Sequence, residues 1–592
     1  MPVSGADFRP FSRCAEGAGF PVLLLWCTEG TGFPALSFRR AEGPGFPVLF
    51  FRCVEGAGFP ALLLRRTEGT EVPAPDGSAE QENVRYQNRR MEKEKNEKEE
   101  KRGRKMTENK KKVLSYIDEK AEVITGVSDA IWDYAELSLR EFKSAQLYVK
   151  VLKEEGFDVE SPFDGIETAF RASYGSGKPV IGILAEYDAL TGLSQVAGAA
   201  ERKELVADGN GHGCGHNLLG AGSMAAAFAV KKYLEEKGEG SGTVVFYGCP
   251  GEEGAATKAF MARDGKFAEC DVALTWHPGN VNQVTSGTCN TCIQTEYKFT
   301  GVASHAAGAP DKGRSALDAV ELMNIGVQFL REHMPDGSRI HYSITDAGGD
   351  SPNVVQPRAQ VLYMVRSVWA KDALALQERV DRIALAASMM TDTKMEKKFI
   401  DGCSNEVPNK ALQTLLWENF HEVGLPSYTE EELAYAKALY DSVEMKDENL
   451  PGASTSESEE IYEYVDEHSA HGTVPINNFL IPYYYSERAR MGSTDVGDVS
   501  WCVPTAQINT VTFPAQAPGH SWQNVSCGRT SIAHKGMLLA GKVLAATAID
   551  LIEKPEVLQA AKEEFNRKMK RYGGYFCPVP EGAVPVVPGE KM

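Results

Sequence analysis

Apolar positions Val113, Ile117, Val123 and Ile124 follow an approximate 3.6-residue period from Lys111 and predict an amphipathic helix. A second helix is expected over residues 144–155. Short apolar runs come next, each closed by glycine or polar residues: VIGILAEYDAL (180–190), GTVVFYGCPGEEG (242–254) and CDVALTWHPG (270–279). These read as strands. A small-residue helix over 221–233 separates the first two and is slim enough to pack tightly on a sheet. Such alternation predicts an α/β fold with a doubly wound, mostly parallel sheet, whose ligand site lies beyond the carboxyl ends of the strands.

Residues 290–405 have another rhythm. A strand (TCIQTEYKFTGVASH) and a long helix (GRSALDAVELMNIGVQFLREH) precede two more strands (SRIHYSITDAG and AQVLYMVRSV) and a helix (AKDALALQERVDRIALAAS). This β-α-β-β-α order predicts a small α+β, ferredoxin-like sandwich with an open sheet edge, a natural dimerisation surface. The earlier style resumes near residue 406. The expected organisation is therefore a catalytic body of residues 107–289 and 406–575, an inserted lid and dimerisation domain of 290–405, and a Pro-rich extended tail of 576–592.

The first hundred residues do not fit this scheme. Phe-Pro recurs at Phe20, Phe33, Phe46 and Phe59, a 13-residue repeat too short and too broken by glycine and proline to stack into a solenoid. A densely charged run over 91–112 follows, and such a run buries no core. Residues 1–106 are expected to be a disordered extension, with Met106 as an alternative start.

Charge and composition narrow the function. With 63 basic against 82 acidic residues the 592-residue chain carries a net charge of -19, which argues against nucleic-acid binding, since that needs a basic face. No run approaches the roughly 18 apolar residues of a membrane-spanning helix. Twelve cysteines are too sparse for a disulfide scaffold. A soluble, cytoplasmic protein is expected.

Candidate chemistry sits in four segments punctuated by glycine or proline. GHGCGHN brings His212, Cys214 and His216 into one loop, where a thiolate and an imidazole two residues apart suit a divalent ion, although a buried cysteine beside a capping histidine would look the same. PGEEG contributes Glu252 and Glu253, one carboxylate to bind metal and its neighbour to take a proton, or simply loop charge. TWHPG and PGHSW add His277 and His520. Jointly these offer more ligands than one tetrahedral zinc ion needs, so two ions sharing a bridging group fit better.

The motifs LAEYDALTGLSQ, NGHGCGHNLLG, FYGCPGEEG, ALTWHP, HAAGAPDKGRSALDAV, SPNVVQ, STDVGDVSW and CGRTSIAHKGMLLA extend the pattern over residues 107–578. With them the chain resembles the metallopeptidase superfamily of aminoacylases, carboxypeptidases and amidohydrolases, within its amidohydrolase branch. The resemblance implies a zinc-peptidase-like catalytic domain in which Cys214 bridges two divalent ions, with His216, Glu253, His277 and His520 completing the shell. It implies Glu252 as the general base and later proton donor to the leaving amine. His305 would stabilise the tetrahedral oxyanion, reaching across a dimer, while Asn353 and Arg366 hold substrate, Arg366 through its bidentate fork. Plain structural roles compete: a helix cap for His305, a turn for Asn353, a solvated strand for Arg366. Members of the superfamily often carry His-x-Asp where this chain has Glu186-Tyr187-Asp188, a change that fits the branch; Asp188 then orients a ligand or caps a strand end.

The same resemblance implies cleavage of p-aminobenzoyl-glutamate, a small amide, with manganese as the metal; the thiolate itself favours zinc. A dipeptidase or N-acyl-amino-acid deacylase is the alternative enzyme. A chain that works only as a heterodimer with a homologous A-type partner is the alternative from another class.

Overall fold

The computed structural model describes residues 106–490 and 492–588. The repeat and the charged run over 1–105, with the disorder expected of them, lie outside the described residues, as do residues 589–592 of the tail.

Eleven strands are described, in two sheets. The first six are β1 (Asp158–Glu160), β2 (Phe170–Ser176), β3 (Val180–Ala185), β4 (Gly242–Gly248), β5 (Val272–Gly279) and β6 (Gln283–Val284). The others are β7 (Thr291–Thr300), β8 (Arg339–Asp346), β9 (Arg358–Ser367), β10 (Lys394–Cys403) and β11 (Thr505–Val511). The larger sheet has the order β1-β2-β4-β3-β5-β11-β6. Its four central strands run parallel, and β1, β2 and β6 are antiparallel additions at the margins.

Both faces of this sheet are covered, which is why β3 reads as an unbroken apolar run. Alternate residues of β4 show the division: Val244 and Phe246 enter one core, Val245 and Tyr247 the other. The first core holds the helices His216–Lys237 and Ser531–Glu553, which pack on each other through small residues. A Cβ on Gly541 would stand 2.7 Å from the Ala225 Cβ, and one on Gly222 would stand 2.6 Å from the Trp276 ring. The second core takes residues from the helices Thr257–Arg263 and Val496–Cys502.

The four-stranded sheet, ordered β10-β7-β9-β8 and antiparallel throughout, is built from residues 291–403. The helices Ala316–Leu330 and Ala370–Met390 cover one face, packing on Tyr297, Phe299, Val361, Tyr363 and Val365. β10 closes it at one edge.

Three details depart from the sequence reading. The first helix is two, Glu108–Glu119 and Ala121–Tyr134, and Val123 faces solvent. The acidic stretch 429–460, where no helix was expected, includes the helix Glu430–Asp441, opened by a Thr429–Glu432 capping box and seated through Ala436 and Leu439. The tail does not hang free as far as residue 588. Val579 is buried, Arg263 donates to the carbonyls of Pro580 and Ala583, and Pro588 occupies the space a side chain on Gly254 would need. No described helix is long and apolar enough to cross a membrane.

Candidate metal centre

The site forms where β3, β4 and β5 end. After β3 the chain runs through Glu186 and Asp188, both buried, and later returns as the glycine-rich loop before the helix His216–Lys237. Gly215 caps that helix at φ 84°, with Phe513 and Pro278 close enough to exclude any side chain. Asn524, the residue of an Asn-Val-Ser sequence, is buried and donates to the Gly213 carbonyl, so it serves the loop and offers no surface for a glycan.

This folding brings together all five histidine, cysteine and glutamate side chains that sequence reading placed around the metals. Cys214 Sγ lies 3.4 Å from His277 Nε2. His277 Nδ1 donates to the Pro278 carbonyl at 2.7 Å, which leaves Nε2 as the free lone pair. His520, in the left-handed region at φ 55°, points Nε2 to within 3.3 Å of Glu253 Oε1. Two donor groups result, Cys214–His216–His277 and Cys214–Glu253–His520, each with its ligand atoms within 4.8 Å of one another. Cys214 belongs to both.

The donors fit divalent metal ions. His216 Nε2 and Glu253 Oε1 are buried and make no hydrogen bond, and the groups nearest to them, Glu186 Oε2 at 3.2 Å and His520 Nε2 at 3.3 Å, are themselves metal-ligating types. Thiolate, imidazole and carboxylate together suit a borderline-soft divalent cation.

A second layer orients these ligands. His216 Nδ1 meets Asp188 Oδ1 at 2.8 Å, and Asp188 Oδ2 accepts from Ser138 Oγ (2.7 Å) and from the Glu253 backbone N–H (2.9 Å). Burial opposes the charge on Asp188, but the bonds from His216, Glu253 and Ser138 hold its carboxyl down at about 2. Asp188 thus ties His216 to the start of the Glu252–Ala255 helix.

Glu252 opens the short helix Glu252–Ala255. Its carboxylate forms a third group with Glu186 and His216, again within 4.8 Å. Burial, and then the carboxylates of Glu186, Asp495 and Glu253, push its pKa well above the ordinary range. Lys258, fully buried, answers part of this negative charge: its Nζ lies 2.7 Å from Glu186 and 2.6 Å from Asp495. Burial disfavours ionised Glu186, yet Lys258, His216 and His277 together hold it below its usual range.

His212 does not join the cluster. Its Nε2 bonds to the Ile131 carbonyl at 3.0 Å, and burial lowers its pKa to about 4. His305 and Asn353 come together at a loop beyond the four-stranded sheet, where the Ala306 N–H donates to the Asn353 carbonyl and His305 Nδ1 accepts from the Ala307 and Gly308 N–H groups. Neither side chain bonds to the cluster, and both Asn353 and His305 are exposed. Arg366, near the end of β9, donates to Ser493 Oγ at 2.6 Å, two residues before Asp495. Sequence reading missed Glu186, Lys258 and Asp495 as parts of the site. The available signal was a lysine amid the apolar run of TKAFMA, where an ammonium needs a buried partner.

The family model for peptidase family M20/M25/M40 matches residues 182–477. The chain is 43% identical over 485 residues to one of the subunits of p-aminobenzoyl-glutamate hydrolase from Escherichia coli (strain K12), covering 80% of this chain and 98% of that protein. It is 27% identical over 475 residues to the Xaa-Arg dipeptidase of Mus musculus, covering 78% and 93%. Among solved structures, an inferred aminohydrolase from methicillin resistant Staphylococcus aureus shares the fold with a TM-score of 0.51 at 15% identity, over 75% of this chain and 99% of that one.

Proposed function

The chain belongs to peptidase family M20/M25/M40, as a hydrolase of amide bonds, and we propose that its substrate is p-aminobenzoyl-glutamate, cleaved to p-aminobenzoate and glutamate. The observation that carries the chemistry is the pair of donor groups sharing Cys214, beside a carboxyl at Glu252 that burial keeps ready for a proton. The observation that carries the substrate is the similarity to the Escherichia coli hydrolase over nearly that protein's whole length.

In this reading Cys214, His216, His277, Glu253 and His520 would hold two divalent ions, manganese or zinc. When bound, the ions supply Lewis acidity toward the scissile carbonyl and make water more acidic. Glu252 takes the proton of the attacking water and returns it to the leaving amine nitrogen, a role suited to a carboxyl whose pKa lies above the usual range. Asp188 holds the His216 ring through Nδ1, which would leave Nε2 for a metal ion. Arg366, steadied by Ser493, receives a carboxylate of the substrate. His305 and Asn353 complete the site of a partner chain, either a second copy or an A-type homologue, through pairing of residues 290–405; their position away from the cluster favours that assignment.

The test is release of p-aminobenzoate by the full chain reconstituted with manganese or with zinc, beside Glu252→Ala. Release by the parent and a loss of several orders of magnitude in the variant, at unchanged metal content, are expected. Metal-loaded parent that releases nothing, alone or mixed with an A-type partner, overturns the substrate assignment. Near-normal turnover by Glu252→Ala overturns the base.

A further inference from the structure

β8 and β9 pair antiparallel with Arg339 directly opposite Arg366. Residues opposite one another project to the same face, with Cβ atoms about 5 Å apart. That face is the one turned away from the covering helices, because Ala359, Val361, Tyr363 and Val365 take the other. Met364, one pleat from Arg366, packs with Ala256, Cys292 and Cys403, and Ala256 directly follows the Glu252–Ala255 helix. The arginine pair therefore borders the catalytic turn.

Like charges directly opposite in a sheet are unfavourable. Neither guanidinium forms an ion pair among the described residues: Arg366 donates to Ser493 Oγ, and Arg339 to the Ser338 carbonyl at 2.7 Å. His341, next on this face of β8, registers the arginines' field, since burial and then Arg366, Arg331 and Arg339 lower its pKa. The nearby acid, Asp401, is engaged by Gln294 at 2.8 Å; burial pushes its pKa up to about 7, outweighing Arg366, which draws it down. A ligand with two carboxylates on a short chain would satisfy both forks.

We propose that Arg339 is a specificity-determining residue: beside Arg366 it forms a second anion subsite that receives the distal carboxylate of a dicarboxylate leaving group, the side chain of the glutamyl moiety. This rests on the substrate reading above and adds a reason for glutamate over a monocarboxylate amino acid.

The metal-loaded full chain and its Arg339→Ala variant are titrated calorimetrically with glutarate and with butyrate. Arg339→Ala is expected to weaken glutarate binding about tenfold and to leave butyrate within about twofold, the loss of one charge-assisted contact. Arg339→Lys should recover part of the difference. In hydrolysis, the kcat/KM preference for p-aminobenzoyl-glutamate over p-aminobenzoyl-alanine should fall about tenfold through KM, with kcat nearly unchanged. Undetectable glutarate binding by the parent, equal glutarate affinity in parent and variant, or equal weakening of both acids overturns the subsite. A parent that discriminates glutarate but hydrolyses neither amide overturns the substrate reading and supports the subsite. Hydrolysis with an unchanged preference does the reverse.

Discussion

Lys258 has no exposed surface, and its ammonium exists only because Glu186 and Asp495 flank it. Removing one partner of a buried ion cluster costs more than the cluster contributes, because the remaining charges stay desolvated. Lys258→Met should lower stability by about 3–5 kcal/mol in urea unfolding; a loss under about 1 kcal/mol would mean that the carboxylates take up protons or water without difficulty. Asp188→Asn tests the layer behind His216. An amide in place of the carboxylate should weaken metal binding roughly 10–100-fold in equilibrium dialysis, and an unaltered affinity would assign Asp188 to the strand end alone. The five donors were legible because cysteine, histidine and glutamate stood between glycines at the ends of apolar runs. Lys258 was not: its partner Asp495 lies 237 residues away, and no local pattern encodes that distance. His212 misled for the opposite reason, since it shares the loop's glycines but turns to a backbone carbonyl.

Helices and strands were legible in proportion to how fully they are buried. β3, β4 and β5 announced themselves as apolar runs, whereas β10 (KMEKKFIDGC) alternates charge with apolar residues at a sheet edge and was passed over. Lysines on an edge strand discourage pairing with foreign chains, so the feature that hid β10 serves its position. The helix His216–Lys237 is buried almost all round, and its glycines mark contacts more than flexibility. At Gly222 two effects compete. Alanine is the better helix former by about 1 kcal/mol, but its Cβ would meet three atoms of the Trp276 indole at 2.6–2.9 Å, and that ring is pinned by its bond to the Leu219 carbonyl. Overpacking should win, with Gly222→Ala less stable by about 1–2 kcal/mol in thermal or urea unfolding. A more stable variant would show that the Trp276 ring and the helix over it give way freely.

Acidity is felt by the whole molecule through carboxyls that folding has desolvated. Burial raises Asp401 and Asp498 to about 7, above their usual carboxylate range. A raised acid binds its proton more tightly folded than unfolded, so its contribution to stability is largest at low pH. That contribution declines as pH climbs from the ordinary carboxylate pKa through 7. Asp401→Asn, which keeps a neutral acceptor for Gln294, should therefore gain on the parent by roughly 2 kcal/mol between about pH 5 and pH 8, read by tryptophan fluorescence in urea. Parallel pH profiles for the two proteins would place the Asp401 carboxyl in the ordinary range. At this scale the two-sheet plan was evident from the change of rhythm near residue 290, while the course of the tail was not, because prolines and valines without a period give no direction.

That tail bears on how the protein is handled. Pro588 lies against Gly254, the residue after Glu253. Any purification handle, fluorescent fusion or immobilising linker joined directly after Pro588 would therefore start beside the Glu252–Glu253 turn.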